Sequence, residues 1–386
     1  MQLLLSAAAH GRVKDRIAPF AGDLDVITVT GPDSFQRAGQ DIGAEEVDPE
    51  IVWTTLDAYG GGLLPTLMGR ILKGSKTQWM QTFNAGIDAP IFKSVMAKGV
   101  RLSKSNAQAV AIAEYVLAHA LALIAPIALQ RDLQAKREWK STPYREVSQT
   151  RWTLVGAGAI GVEIARRAKA FGVHLTVVRH SDKPAEMADA TVTLAGLTQA
   201  LPQSDVVVLA CALNDDTRDM ANDAFFAAMK PGAILINIGR GGLVDEDALQ
   251  RGLDADRPGH AVLDVFKAEP LPADSWMWDH PKVRISAHTS NSGQGTAARG
   301  DQLFVDNLKR FLAGEPLINE ASPSEVGLQA TCGRTVDGLG IGCVRPGDTS
   351  GCHPGFAKRR PGPISTDSSG KPRVYGSRTS APRFPG

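Results

Sequence analysis

The apolar positions of the chain fall into short runs separated by turn residues. In the first third, "QLLLSAA" (residues 2–8), "LDVITVT" (24–30), "IVWTTL" (51–56) and "TQWMQTF" (77–83) read as strands, each followed by Gly, Asp or Asn punctuation. Between them "LLPTLMGRILKG" (63–74) has a helical texture. Strand and helix in alternation predict a parallel sheet covered on both faces. A longer block of the same kind opens at Trp152, with "WTLVG", "HLTVV", "ATVTL", "SDVVVLAC", "GAILINIG", "HAVLDVF" and "VRISAH" as seven strand-like runs. Together they predict an α/β chain with two doubly wound parallel sheets.

Two further helices frame the second block. One runs from about Asn106 to Leu129, with Pro126 placed to kink it or end it early. Its nearly all-round apolar surface predicts burial between domains or subunits. On it, Glu114 reads as a buried capping or dimer-interface group, and His119 as a satisfied core histidine. The other lies between about Ser290 and Leu317 and is expected to return to the first sheet. From Ala321 the texture changes: residues 321–386 hold 12 Gly and 8 Pro, and apolar periodicity vanishes. This composition predicts a low-complexity, disordered tail. Its three cysteines and His353 fit no familiar zinc spacing, so no metal site is expected.

Composition narrows the class. A chain of 386 residues supports two real cores. A net charge of +1 gives no basic field for nucleic acid or an anionic membrane. No apolar run approaches the roughly 20 residues of a membrane helix. The start, "MQLLLSAAAHG", lacks a basic leader and reads as a first strand rather than a signal peptide. Cys211 alone among the four cysteines belongs to the patterned part, so a reducing, cytoplasmic setting is expected.

Candidate chemistry begins at "VGAGAIG" (155–161), which has a strand before it, a helix after it and a second strand at the right distance. Gly156 permits the tight turn, Gly158 lets the backbone approach a pyrophosphate, and Gly161 lets helix and strand pack closely. The helix N-terminus then offers free N–H groups to the phosphates. Downstream, three strand ends carry polar residues that a plain sheet does not need: Arg240 in "INIGRGGLVDEDAL", Asp264 and Glu269 in "LDVFKAEPLP", and His288 in "RISAHTSNSG". Carboxyl ends of strands are where ligands bind in open α/β sheets.

With these motifs, and with "WMQTFNAGID" (79–88) and "NAQAVAIAEYVLAHALAL" (106–123), the chain resembles the D-isomer-specific 2-hydroxyacid dehydrogenases over roughly residues 1–318. The resemblance implies a Rossmann cofactor domain (104–288) inserted in a flavodoxin-like substrate domain (1–103 and 289–320), with 321–386 as the tail. It implies hydride transfer between a nicotinamide and a small 2-oxo or D-2-hydroxy acid. As hydride arrives the carbonyl oxygen needs a proton, and His288 is its donor. Glu269 orients the imidazole, and Arg240 grips the substrate carboxylate and polarises the carbonyl. Ala85, Gly86 and Ile87 complete the substrate site, with backbone N–H groups from Gly86 and Ile87. The cofactor set is Gly156, Gly158, Ala159, Ile160, Gly161, Arg179, Ser181, Cys211, Ile238 and Asp264. Asp264 meets the nicotinamide amide by resemblance, whereas an Asp after an apolar strand also serves as a turn cap. Cys211 is expected to pack, with its backbone near the cofactor.

The family pattern is not followed everywhere. Asn84 replaces the more usual Ser, "ISAH" replaces Thr-Pro before the His, and "HTSNSGQG" is more polar than usual; all surround the substrate side chain. Glu269 argues against the formate-oxidising branch, where Gln is expected.

The end of the second strand, "VVRHSDK" (177–183), decides the cofactor. NAD-using relatives carry an acid there for the ribose hydroxyls; Arg179 pairs instead with a 2′-phosphate, with Ser181 and Lys183 in support. The expectation is NADP in preference to NAD. The leading function is a glyoxylate or hydroxypyruvate reductase acting as a homodimer. The alternatives are an NAD-linked phosphoglycerate dehydrogenase-like enzyme and a non-catalytic, cofactor-sensing corepressor-like protein.

Overall fold

A computed structural model describes residues 1–181 and 183–328. The first sheet holds β1 (Gln2–Ser6), β2 (Asp25–Gly31), β3 (Ser34–Arg37), β4 (Gln40–Ile42), β5 (Ile51–Trp53), β6 (Trp79–Gln81) and β7 (Arg101–Ser103) in the order β4-β3-β2-β1-β5-β6-β7. β2, β1, β5 and β6 run parallel, as expected, and β7, which the sequence reading did not include, joins them in parallel. β3 and β4 form an antiparallel edge that the apolar pattern does not show. Their turn places Ala38 at φ 50° and Gly39 at φ 80°. Two consecutive left-handed residues match the twist of a tight hairpin. β1 is shorter than its apolar run because Ser6 caps the helix Ala7–Ile17, its Oγ accepting from the Ala9 N–H at 3.1 Å.

The second sheet holds β8 (Arg151–Val155), β9 (His174–Val178), β10 (Ala190–Val192), β11 (Val206–Leu209), β12 (Ile234–Asn237), β13 (His260–Leu263) and β14 (Val283–Ile285). Its order is β10-β9-β8-β11-β12-β13-β14, all parallel. β11 shows why these runs are continuously apolar. Val207 and Leu209 point into the core on one face, Val206 and Val208 into the core on the other, and all four are fully buried.

The long helix spans Ala109–Ile124, then turns by 54° into Ile127–Lys136. Pro126, with no N–H to continue the ladder, sits at the break. Ile112, Ala113, Val116, Leu117 and Ala120 join the second sheet's core. Glu114 departs from its expected burial: its side chain is 64% exposed and pairs with Arg167 at 3.4 Å. It lies opposite the packed stripe, where the helix meets solvent. Among the described residues no single helix is long and apolar enough to cross a membrane.

The last helix, Gly295–Leu312, returns to the first sheet and seats Phe304 against Trp53 with ring centroids 4.0 Å apart. The described chain also continues past residue 320. Ala321 is buried in the first sheet's core, and Pro323–Val326 forms a short 3-10 helix. The rest of the expected tail, with Cys332, Cys343 and Cys352, lies outside the described residues.

Candidate active site

The second sheet reverses strand order between β8 and β11, and the glycine loop leaves β8 at that point. Gly156 has φ 115°, a left-handed conformation, and a Cβ there would lie 2.6 Å from the Ala210 carbonyl oxygen and 2.8 Å from the Cys211 nitrogen. A Cβ on Gly161 would lie 2.1 Å from the Gly156 oxygen. These two positions exclude a side chain because the chain itself fills the space. Gly158 differs: a Cβ there would meet nothing within 4 Å. It begins the helix Ala159–Ala170 without a side-chain cap, so no side chain takes up the first-turn N–H groups. A bare helix start beside an open glycine fits a pyrophosphate.

The Gly156 N–H donates to the Val178 oxygen at 2.9 Å, which sets the end of β9 beside this loop. Arg179 follows at once. Its Nη1 reaches only the Lys183 oxygen, at 3.5 Å, and it forms no ion pair among the described residues. Ser181 is half-buried on the same turn.

Three later strand ends converge on a cleft of about 580 Å³. Ala85, Gly86, Ile160, Ile238, Arg240, Glu269 and His288 line it. Glu269 Oε2 lies 2.8 Å from His288 Nδ1, and its Oε1 accepts from the Phe266 N–H at 3.0 Å. The carboxylate thus holds one imidazole nitrogen and leaves Nε2 for the cleft. His288 has φ 53°, which a non-glycine residue adopts at a cost of about 1–2 kcal/mol.

Asp264 maintains that conformation. It is buried, and its carboxylate accepts from Ser286 Oγ at 2.6 Å, from the Thr289 N–H at 2.9 Å and from the Ser290 N–H and Oγ. Its backbone oxygen takes the His288 N–H at 2.9 Å. The group is a cap for the loop that presents His288. The Tyr115 hydroxyl joins through Ser286 Oγ at 2.6 Å, tying the long helix to the same loop.

Asp88 is a site residue that the sequence reading missed. Arg240 Nε donates to both of its oxygens at 3.1 Å, and Nη2 donates to Oδ1 at 2.8 Å. Nη1 donates to the Gly239 oxygen at 2.8 Å. Asp88 therefore occupies the side of the guanidinium, and one N–H each on Nη1 and Nη2 remain at its end. Burial works against ionisation of Asp88, but the hydrogen bond and charge of Arg240 prevail and lower its pKa. Gly86 makes the approach possible, since a Cβ there would lie 2.3 Å from Arg240 Nη2. Only the loop's position in "NAGID" hinted at this; the two partners are 152 residues apart.

The remaining residues stand further off. The Ile87 side chain is in the first sheet's core. Cys211 is half-buried, and burial pushes its thiol up to about 11; its backbone abuts Gly156. His119 lies against Tyr115, with tilted rings and centroids 4.4 Å apart, and its pKa is lowered by burial and by Arg284.

Comparison with known proteins agrees with this geometry. The sequence profile of the D-isomer specific 2-hydroxyacid dehydrogenase NAD binding domain matches residues 117–290. Glyoxylate/hydroxypyruvate reductase B of Pectobacterium carotovorum is 30% identical over 311 residues, 75% of this chain and 97% of that protein. D-3-phosphoglycerate dehydrogenase 2, chloroplastic, of Arabidopsis thaliana is 41% identical over 220 residues, 54% of this chain, but the match spans only 34% of the plant protein. A crystal structure of a D-isomer specific 2-hydroxyacid dehydrogenase family protein from Aeromonas salmonicida superposes with a TM-score of 0.67 at 29% identity, covering 83% of this chain and 98% of that one. The chain belongs to the D-isomer-specific 2-hydroxyacid dehydrogenases, nicotinamide-dependent oxidoreductases acting on the CH–OH group of 2-hydroxy acids.

Proposed function

We propose that the protein is an NADP(H)-dependent reductase of small 2-oxo acids of the glyoxylate or hydroxypyruvate type. The observation that carries this reading is the His288–Glu269 pair, 2.8 Å apart, in one cleft with Arg240. When bound, the nicotinamide cofactor supplies the hydride that turns the carbonyl into CH–OH. The protein supplies the rest. The free end of the Arg240 guanidinium pairs with the substrate carboxylate and draws charge toward the carbonyl oxygen. The Gly86 and Ile87 N–H groups support the same carboxylate. His288 Nε2 delivers the proton, and Glu269 holds the ring in place through Nδ1. The residues that hold the cofactor are those of the glycine loop, with Ile160 and Ile238 at the cleft wall.

Arg179 supports NADP over NAD. A cation with no carboxylate partner among the described residues, one residue past β9 and beside the glycine loop, suits a 2′-phosphate. The test is Arg179→Asp. The ratio of kcat/KM for NADPH over NADH should fall at least about 100-fold, the size expected when a charge-assisted fork becomes a like-charge contact. An unchanged ratio, or a wild type that already prefers NADH, would refute the assignment.

Identity to a phosphoglycerate dehydrogenase favours a second reading, NAD-linked oxidation of a phosphorylated hydroxy acid. Arg179 in place of an acid counts against it, and assays with both cofactors separate the two. An intact Arg240, Glu269 and His288 count against a corepressor-like role. The same reading implies a homodimer in the cytoplasm. Exposed Ile127, Leu129, Trp139 and Tyr144 support a subunit interface.

A further inference from the structure

The first sheet has a switch point of its own. β1 is flanked by β2 on one side and by β5 on the other, so the chain winds in opposite directions from it. In open α/β sheets the crevice outside the carboxyl ends at such a point is a ligand site. A chamber of about 390 Å³ lies one strand further along, between the ends of β5 and β6 and the start of the last helix. Its floor is Trp53, held flat against Phe304. Phe83, Ala107 and Ala297 are among the walls.

Two observations define what the chamber accepts. The first is the commitment of its charges. Arg12 donates through Nε to Asp301 at 3.0 Å and through Nη2 to Asp57 at 2.9 Å, and Ser6 Oγ donates to Asp57 at 2.6 Å. Among the described residues Arg12 is the one cation that lines the chamber, and two carboxylates balance it. The second is Thr55. It is 4% exposed and lines the chamber, and its hydroxyl, which lies beside Asp57 and helps to lower that carboxylate's pKa, has no hydrogen bond of good geometry among the described residues. A buried hydroxyl without a partner is costly, and a ligand group that pairs with it recovers that cost.

The chamber also adjoins the catalytic cleft. Leu56, Phe83, Gln108, Asn291 and Ser292 line both. A 2-oxo acid whose carboxylate sits on Arg240 and whose tail turns toward these shared side chains is directed at the chamber. We propose that the chamber receives the substrate side chain. The substrate class then extends beyond glyoxylate and hydroxypyruvate to 2-oxo acids with an uncharged tail of several carbons, and a distal hydroxyl on that tail pairs with Thr55 Oγ1. The inference rests on the reductase reading of the same site.

Each methylene moved from water to apolar contact is worth about fourfold in binding. With NADPH saturating, kcat/KM of the wild-type protein should therefore climb about threefold to fourfold per carbon from glyoxylate through pyruvate and 2-oxobutyrate to 2-oxohexanoate. 2-Oxoglutarate, with a second carboxylate, should fall well below 2-oxovalerate, and 5-hydroxy-2-oxovalerate should exceed it. In Ala297→Phe, which fills the chamber, the 2-oxohexanoate-to-glyoxylate ratio should drop at least about tenfold. Thr55→Val is nearly isosteric and should remove the advantage of the hydroxylated acid alone. A flat or falling profile with chain length, or an unchanged ratio in Ala297→Phe, would overturn the inference and leave the reductase reading standing. Turnover of none of these acids would overturn both.

Discussion

At the scale of single residues, position matters more than identity. Arg240 could bind any nearby carboxylate, and it is Asp88 on its side that turns its remaining N–H pair outward. Arg240→Lys should lower kcat/KM for the 2-oxo acid by about 100-fold or more, because an ammonium cannot serve Asp88 and the substrate with two separate edges. A near-normal rate would refute the carboxylate grip. His288→Ala should abolish turnover while the Kd for NADPH, read by fluorescence titration, stays within about twofold, since the ring meets substrate and not phosphate. Lost NADPH binding with residual chemistry intact would sink that role. The sequence made Arg240, Glu269 and His288 visible because charged groups at the ends of buried apolar strands have no packing reason to be there. It could not show Asp88 as Arg240's partner, because a pair so distant in sequence is brought together only by folding.

At the scale of elements, the loop after β14 depends on a buried acid from the end of β13. Asp264 receives Ser286, Thr289 and Ser290, and so holds the left-handed turn at His288. Asp264→Asn would place an NH₂ against groups that already donate. The expected result is a Tm lower by several degrees and a kcat reduced about tenfold, with NADPH affinity retained. Weakened NADPH binding at an unchanged Tm would return Asp264 to the nicotinamide. The glycine loop was legible in full, because its spacing is imposed by contacts inside one strand–turn–helix unit. The β3–β4 hairpin was not. Its residues are largely polar, and its turn is Ala38-Gly39 rather than a common turn pair, so neither periodicity nor punctuation announced it.

At the scale of the whole molecule, the chain closes on itself through the last helix. Phe304 is fully buried against Trp53 and lies 5.8 Å from Trp79, so a residue at position 304 completes the first sheet's core. Phe304→Ala should cost about 3–5 kcal/mol of unfolding free energy in a denaturant titration; a loss below about 1 kcal/mol would show that the helix is not integral to that core. By itself the sequence determined the parallel strands of the second sheet, since strands buried on both faces must be continuously apolar. It also determined the glycine cradle and the basic turn at Arg179, since each is a local motif. Only the tertiary structure decided that Asp264 caps the loop that presents His288, that Glu114 faces solvent, and that Asp88 clamps Arg240. Burial and pairing of a charge depend on what the rest of the chain brings to it, and no local pattern carries that information.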